Sequence, residues 1–450
     1  MSPAPVLVVG GGPAGLAAAA HLAAVGHAVD LVELRPALGG AYHRRPIPGV
    51  TPRPIGAESE TRWARLVAGI DHPAIRVRLR TGFLGIDGAG CALLDDRTAG
   101  RVEAARPAAV VVATGALERV RPRPGWELPG VTTAGGLQVM MKETGRIPEG
   151  RILLAGSGPL LVALAGQMIA AGRPPIAVVE TGDPLRRPLA GFGLLPHPAR
   201  LVEALGHLGR IVAAGVPWLR ATALETIAAE GDALRVELRD RRERRRTLFA
   251  DHVALHDGIR PNDRGFPEPS VSAADRPFVA HAGDCREVLG VAAAEIDGAR
   301  VGAEVAAILA GTSTTASKAL ARLAAERRVQ AVLTRLFAPA IPPTPIAALP
   351  RETVLCRCEG RSVGDLAELL DGSDAPGGRE IKLSGRFAMG VCQGRFCAHW
   401  VAEAAATLRP EATAPTAGDL IGRRWPARPV SIDAVIASAD RSDTSPSPER

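Results

Sequence analysis

VLVVGGGPAGLAAAAHLAAVG, residues 6–26, sets four apolar residues before a glycine cluster and an alanine-rich run after it. The apolar four read as a buried strand and the alanine run as a helix; AVDLVE, residues 28–33, reads as the next strand. Together they make a βαβ unit. Gly10, Gly12 and Gly15 fall in the G-x-G-x-x-G pattern, with Pro13 and Ala14 inside it. Each glycine has a mechanical reason. Gly10 permits the tight turn, Gly12 admits the backbone to a pyrophosphate, and Gly15 lets the helix lie close to the strand, with the helix N-terminus facing the phosphates. Glu33 ends the second strand, where a carboxylate accepts hydrogen bonds from a ribose diol, and Leu34 and Arg35 follow it in the candidate set. Glycine turns also arise for packing alone, but strand, helix and acidic residue here all fall in place for a dinucleotide site.

A similar unit recurs from Gly10 to Gly156, 146 positions on: RILLAGSGPLLVALAGQMIAAG, then IAVVE. It keeps Gly156 and Gly158 but has Leu161 where the third glycine would stand, so its helix packs less closely. Glu180 ends the second strand and disfavours a 2′-phosphate. Two readings stand for this unit: a site for NAD(H) or another adenine nucleotide, or a fold retained without a ligand used in turnover. The repeat predicts an α/β protein with two Rossmann-type domains.

At 450 residues the chain calls for several domains, and 46% hydrophobic with 22% charged residues excludes wholesale disorder. The net charge of +7 invites a nucleic-acid reading. Lysine occurs only at Lys142, Lys318 and Lys382, and the arginines are scattered. The densest run, RDRRERRR at Arg239–Arg246, follows an alternating stretch and reads as a solvated hairpin tip without stacking aromatics, so no nucleic-acid partner is expected. The N-terminus lacks a basic region and is broken by glycine and proline, which argues against a signal peptide. No stretch of about 20 apolar residues suggests a membrane span. Six cysteines without a secretory signal point to a reducing cytoplasm, where clustered thiols more often bind metal than pair.

VVVATGA, with Thr114 and Gly115, and HAGDC, with Gly283 and Asp284, resemble the two later motifs of glutathione-reductase-like flavoproteins. That resemblance implies FAD at the first glycine motif, with Asp284 on the ribityl chain. LGG at Leu38–Gly40 stands where this group brings backbone near the flavin, which implies that role for Gly39 and Gly40. Cys91 and Cys285 lie far apart without C-x-x-C spacing, so disulfide reduction is not expected. His256 and His281, on apolar strands, read as hydrogen-bonded core residues, Trp126 and Tyr42 as packing, and no side chain stands out as a catalytic base.

Past the proline-rich APAIPPTPIAALP, LCRCEG supplies Cys356 and Cys358, and CQGRFC supplies Cys392 and Cys397. Four thiolates hold either zinc or a 2Fe-2S cluster. Structural zinc prefers C-x₂₋₄-C loops; C-x-C followed far downstream by C-x₄-C departs from that, whereas a broader two-iron cluster tolerates it. Zinc remains the competing reading. Gly394 is expected to bring backbone N–H groups close to the cluster, and Ser362 and Asp365 are expected to cap a helix after the first pair. His399 is not needed as a ligand.

CRCEG…KLSGRFAMGVCQGRFC resembles the bacterioferritin-associated-ferredoxin-like (BFD-like) 2Fe-2S domain. With the flavin motifs and ATGALERVRPRPGWELPGVTTAGGLQ, the chain resembles the α subunit of the opine oxidase, hydrogen cyanide synthase and D-hydroxyproline dehydrogenase family. The resemblance implies a glutathione-reductase-like flavoprotein with FAD-binding segments at 1–120 and 251–337. A nucleotide-binding-like insert is expected at 121–250, a linker at 338–350, a small helical BFD-like module at 351–410, and an extension with a disordered tail at 411–450. It further implies a partner β subunit, which would be an amine-oxidising FAD- or FMN-containing flavoprotein of the glycine and D-amino-acid oxidase type. Electrons would pass through this chain to an acceptor the residues do not name. The expected location is the cytoplasm, at the inner face of a membrane only through partners. Two alternatives are a self-contained NAD(P)H-dependent reductase feeding a ferredoxin-like partner and a catalytically silent regulatory subunit.

Overall fold

The computed structural model describes residues 4–51, 57–270, 276–313, 317–372, 377–411, 413–422 and 426–442. The chain forms two compact units: Met1–Leu117 with Arg260–Glu326 and Arg423–Arg450, and Glu118–Ile259 with Arg327–Gly422.

In the first unit, Val6–Val9 is central in a parallel sheet ordered Phe278–His281, Ala109–Val112, Val6–Val9, Val29–Val32 and Ile75–Arg78. A parallel strand covered on both faces must be apolar throughout, and Val6–Val9 is buried at every position. Val6 and Val8 pack under the helices Pro13–Ala24 and Val291–Leu309, whose Leu16, Leu22, Val301 and Val305 share their core. Leu7 and Val9 face the other way, onto Phe83 and Leu94 of the antiparallel sheet Thr81–Ile86, Ala92–Asp96 and Arg101–Ala105. The helix Ile432–Ser442 returns to that sheet, where the Ser438 hydroxyl accepts from Val102 N–H at 3.0 Å. Residues 443–450, most of the tail expected to be disordered, lie outside the described residues.

The second unit repeats the plan: Trp218–Arg220, Ala177–Glu180, Ile152–Gly156, His252–His256 and Val131–Thr133 form a parallel sheet. One face carries the helices Ala134–Thr144, Pro159–Ala170 and Pro198–Ala213, and the other the antiparallel sheet Thr222–Glu230, Ala233–Asp240 and Arg245–Ala250. The boundary expected at 250/251 is therefore displaced. His252–His256 pairs with Ile152–Gly156 in register and completes the second sheet.

The cysteine segment has its own core, built on Leu355, Leu366, Ile381, Phe387, Trp400, Val401 and Leu420. It is helical, with Val363–Asp371, Gly378–Leu383, Ala398–Leu408 and Ala417–Ile421. The last of these extends it beyond the expected end at 410. Ser362 and Asp365 form the expected capping box. The segment is not a separate body: it packs within the second unit. Trp400 Nε1 donates to Val120 O at 2.8 Å, Trp126 Nε1 donates to Val354 O at 2.7 Å, and Arg357 lies over the Trp126 ring. The linker is equally embedded, with Ile341 and Ile346 buried. Among the described residues no helix is long and apolar enough to cross a membrane.

Candidate functional site

The first glycine loop gathers every motif expected around it. Gly10 has φ +110°, and a Cβ there would strike the Ala113 carbonyl, next to Thr114. A Cβ on Gly15 would strike the Gly10 carbonyl, so the helix begins against the turn. Pro13 opens that helix, where its missing N–H costs no hydrogen bond. Gly39 N–H donates to Gly11 O at 2.8 Å, and a Cβ on Gly40 would sit 3.0 Å from Gly12 Cα, so Leu38–Gly40 lies on the loop. Gly283 packs on Ala14. Glu33 accepts from Gly11 N–H at 2.7 Å and from Arg35 N–H at 2.9 Å, and stays partly exposed. Leu34 turns its side chain toward Gly82.

The residues fit FAD. Gly12 has nothing nearer an added Cβ than Gly40 Cα at 3.6 Å, and Gly115 and Gly290 face open space. The cradle stays open where backbone must approach a ligand. Asp284 is anchored through Oδ1, which accepts from Leu289 and Gly290 N–H, each at 3.0 Å. Burial pushes its carboxyl up against those two N–H groups. Thr114 spends its hydroxyl on Asn262 O at 2.7 Å, and so serves the site through its backbone turn.

Asp297 is a residue that no sequence motif announces. It is buried, accepts from Gly283 N–H at 2.8 Å, and is held by Arg286 and Arg300. It therefore sets the turn that carries Asp284. Its helix packs backbone to backbone on Pro13–Ala24 at Gly298 and Gly302. The small residues four apart in DGARVGAE are the available signal. Cys285 is buried beside Thr114, and burial pushes its thiol up to about 11, so it is an inert packing group. Among the described residues all six cysteines are free thiols. His281 is bonded to Pro267 O at 2.8 Å, as a core histidine should be. Tyr42 is exposed and meets His43 edge to face.

The second loop has the same local shape in different surroundings. Gly156 and Gly158 have φ +141° and +124°. Ser157 N–H donates to His256 O at 2.7 Å, and His256 Nδ1 bonds Glu118 at 2.7 Å. Leu161 is fully buried in the helix core. Glu180 is 0% exposed; its oxygens accept from Gly158 N–H at 3.0 Å and Gly182 N–H at 2.8 Å. Burial lifts its carboxyl to about 7, opposed by the Gly182 and Gly158 N–H groups, the Ser157 hydroxyl and His256. The folded chain thus retains a proton that the unfolded chain, with an ordinary value of 4.5, releases. This contribution to stability is complete below 4.5 and is lost as pH rises to about 7. The melting temperature is expected to fall across that window, and Glu180→Gln to flatten the fall. Equal slopes in both proteins would contradict this assignment.

The four clustered cysteines converge. Cys397 Sγ lies 3.6 Å from Cys356 Sγ. Cys392 is held down to about 5, first by the Cys397 thiol, against burial, with help from Phe396 N–H, the Cys358 thiol and Gly394 N–H. The Cys356 thiol is lowered to about 7 by Cys397, while Cys397 is raised by Cys356 and Cys392, and burial raises Cys358. Such thiols cannot all ionise side by side unless a cation balances them. Four cysteines are a donor set of the kind a thiolate-ligated metal centre uses. The sulfurs are not drawn around one point: among the described residues no group of three or more His, Cys, Asp or Glu is arranged for a single ion. Gly394, at φ +78°, turns its N–H to the Cys392 sulfur, and a Cβ there would meet Ala388 at 2.8 Å. Cys358 is exposed, and Met389, Val391 and Phe396 expose apolar side chains in the same segment.

The arginine-rich run forms the expected hairpin between Ala233–Asp240 and Arg245–Ala250. Its tip does more than meet solvent: with Arg186, Arg220 and Trp218 it lines a cleft of about 610 Å³.

Comparison with known proteins agrees with the flavoprotein fold. The pyridine nucleotide-disulphide oxidoreductase family matches residues 4–279. An opine oxidase subunit of Rhizobium meliloti is 31% identical over 95% of this chain and 97% of its own. Hydrogen cyanide synthase subunit HcnB of Pseudomonas aeruginosa is 31% identical over 87% of this chain and 90% of its own. The crystal structure of L-proline dehydrogenase from P. horikoshii superposes with a TM-score of 0.63 at 18% identity, over 96% of this chain and 79% of that one, a likeness of fold.

Proposed function

The chain belongs to the pyridine nucleotide-disulphide oxidoreductase family and, within it, to the group that holds these opine oxidase and hydrogen cyanide synthase subunits; from that premise we propose that this FAD-dependent oxidoreductase is the electron-transferring subunit of an amine-oxidising complex. The observation that carries the reading is the presence, in one chain that matches these named subunits nearly end to end, of both an open FAD cradle and a four-thiol nest.

Oxidation of a CH–NH donor to an imine releases two electrons and two protons; FAD accepts electrons in pairs, and a 2Fe-2S cluster passes them singly. The chain's own groups hold and position these cofactors. Glu33 would take the ribose diol, Gly12 and the helix N-terminus at Pro13–Ala14 the pyrophosphate, and Asp284, set by Asp297, the ribityl chain. Cys356, Cys358, Cys392 and Cys397 would hold the irons, with Gly394 N–H directed to the Cys392 sulfur. With a cluster bound, the exposed Cys358 would lie on the side open to an acceptor.

The amine is oxidised on a partner, a flavoprotein of the glycine or D-amino-acid oxidase type, in a reducing cytoplasm. Co-expression is expected to yield a stable complex in which an opine, glycine or D-hydroxyproline bleaches the flavin of this chain under anaerobic conditions. The isolated chain is expected to form no imine. Full amine turnover by the isolated chain would overturn the proposal.

A further inference from the structure

The two dinucleotide folds of this chain act as each other's control, because their loops share shape but not access. At the first, Glu33 is partly exposed and Gly12, Gly115 and Gly290 leave open space. At the second, the segment that follows the helix Ser317–Leu336 lies across the loop. Ser157 Oγ donates to Phe337 O at 2.8 Å, Ala340 N–H donates to Thr181 O at 2.8 Å, and Gly182 pairs with Pro339 as a β-bridge. Arg187 Nη1 donates to the carbonyls of Arg335 at 2.6 Å and Ala338 at 2.8 Å, which clamps the segment from its other side. A Cβ on Gly182 would meet Phe337 O at 2.8 Å and Ala338 O at 3.2 Å.

In a dinucleotide fold, the acidic residue ending the second strand meets the adenosine ribose, and the glycine loop meets the pyrophosphate. Here that acidic residue, Glu180, is 0% exposed, whereas Glu33, whose oxygens accept the equivalent pair of backbone N–H groups, stays partly exposed. We propose that the second dinucleotide fold binds no nicotinamide nucleotide: residues 335–340 occupy the adenosine half of its cleft, and the fold is the socket that fixes the linker to the cysteine module.

Continuity of the chain supports the socket role. From Ala340 the linker runs through buried Ile341 and Ile346, and Arg121 donates to Thr344 O at 2.9 Å and pairs with Glu403 of the module. A nucleotide entering this cleft would have to displace residues 335–340 and forfeit each bond they make. The electrons carried by this chain therefore do not come from NAD(P)H bound in this fold, a conclusion independent of which amine the complex oxidises.

The test uses the full chain with its cofactors. NADH and ADP-ribose are titrated by calorimetry, and hydrogen exchange is followed at residues 156–158, 180–182 and 336–340. No saturable binding below about 1 mM is expected, with exchange in all three segments unchanged by NADH. Saturable binding with altered protection at 156–158 would overturn the proposal. Gly182→Val supplies an independent reading, since Gly182 does not have a positive φ and its nearest neighbours all belong to residues 337–338. A melting temperature lowered by several degrees is expected, with faster exchange at 336–340. An unchanged melting temperature and unchanged exchange would show that the segment is not seated there.

Discussion

Replacing Cys397 with serine is expected to strip the chain of its iron and to cut electron delivery to any acceptor by more than about 100-fold, beyond the 10- to 100-fold that outer partners of a metal site cost. Cys397 is 2% exposed and adjoins both Cys356 and Cys392, so its loss breaks the nest at its centre. Serine supplies a poor soft-metal ligand and leaves a buried hydroxyl without a thiolate's affinity for iron. The wild-type chain, purified without oxygen, is expected to hold about two irons and two labile sulfides beside its flavin. In Cys397→Ser, iron analysis is expected to fall to background while the flavin bands persist, because the proposed FAD cradle belongs to the other unit. His399→Ala, two residues on, should keep its iron. One zinc and no iron in the wild type, or full iron in the serine variant, would reject the assignment.

The second large effect is expected from Gly15→Val, which should abolish FAD retention and lower stability together. Any Cβ at residue 15 strikes the Gly10 carbonyl, and Val8 Cγ1 lies 3.4 Å away, so the helix must leave the strand and the pyrophosphate loop opens. Because that variant can fail to fold, Glu33→Ala carries the test without a steric clash in the glycine turn, while it also frees Gly11 N–H from its acceptor. It removes the ribose acceptor and should weaken FAD about 10- to 100-fold, the equivalent of about one charge-assisted hydrogen bond. Leu161→Gly, the matching position of the second loop, should leave FAD content unchanged. FAD loss in Leu161→Gly with retention in Glu33→Ala would assign the flavin to the wrong loop.

Much of the site is legible in the sequence because its signals are local. Glycine spacing, a strand of four apolar residues and an acidic strand end can be read within about 30 residues, and all of them assemble at Gly10–Gly15 as expected. The capping box at Ser362 and the hairpin at Asp240–Arg245 are equally short-range. Asp297 escapes such a reading because an aspartate in a helix says nothing of its partners, and its bond to Gly283 depends on how that helix docks. The arginine run declares itself as a hairpin, but its neighbours Arg186 and Arg220 come from other strands and loops, so the cleft they share has no signature in the run itself.

From the sequence alone follow two βαβ units, the order of the flavin motifs and four cysteines in one small module, since periodicity and spacing are properties of neighbouring residues. Only the tertiary structure decided that His252–His256 completes the second sheet, that the cysteine module packs through Trp126 and Trp400, and that Glu180 is buried while Glu33 is open. Those outcomes depend on contacts such as Trp400 with Val120, 280 residues apart, and Ser157 with Phe337, 180 apart. Burial is set by what the rest of the chain lays over a residue, so two loops with nearly the same sequence pattern end with opposite access to a ligand.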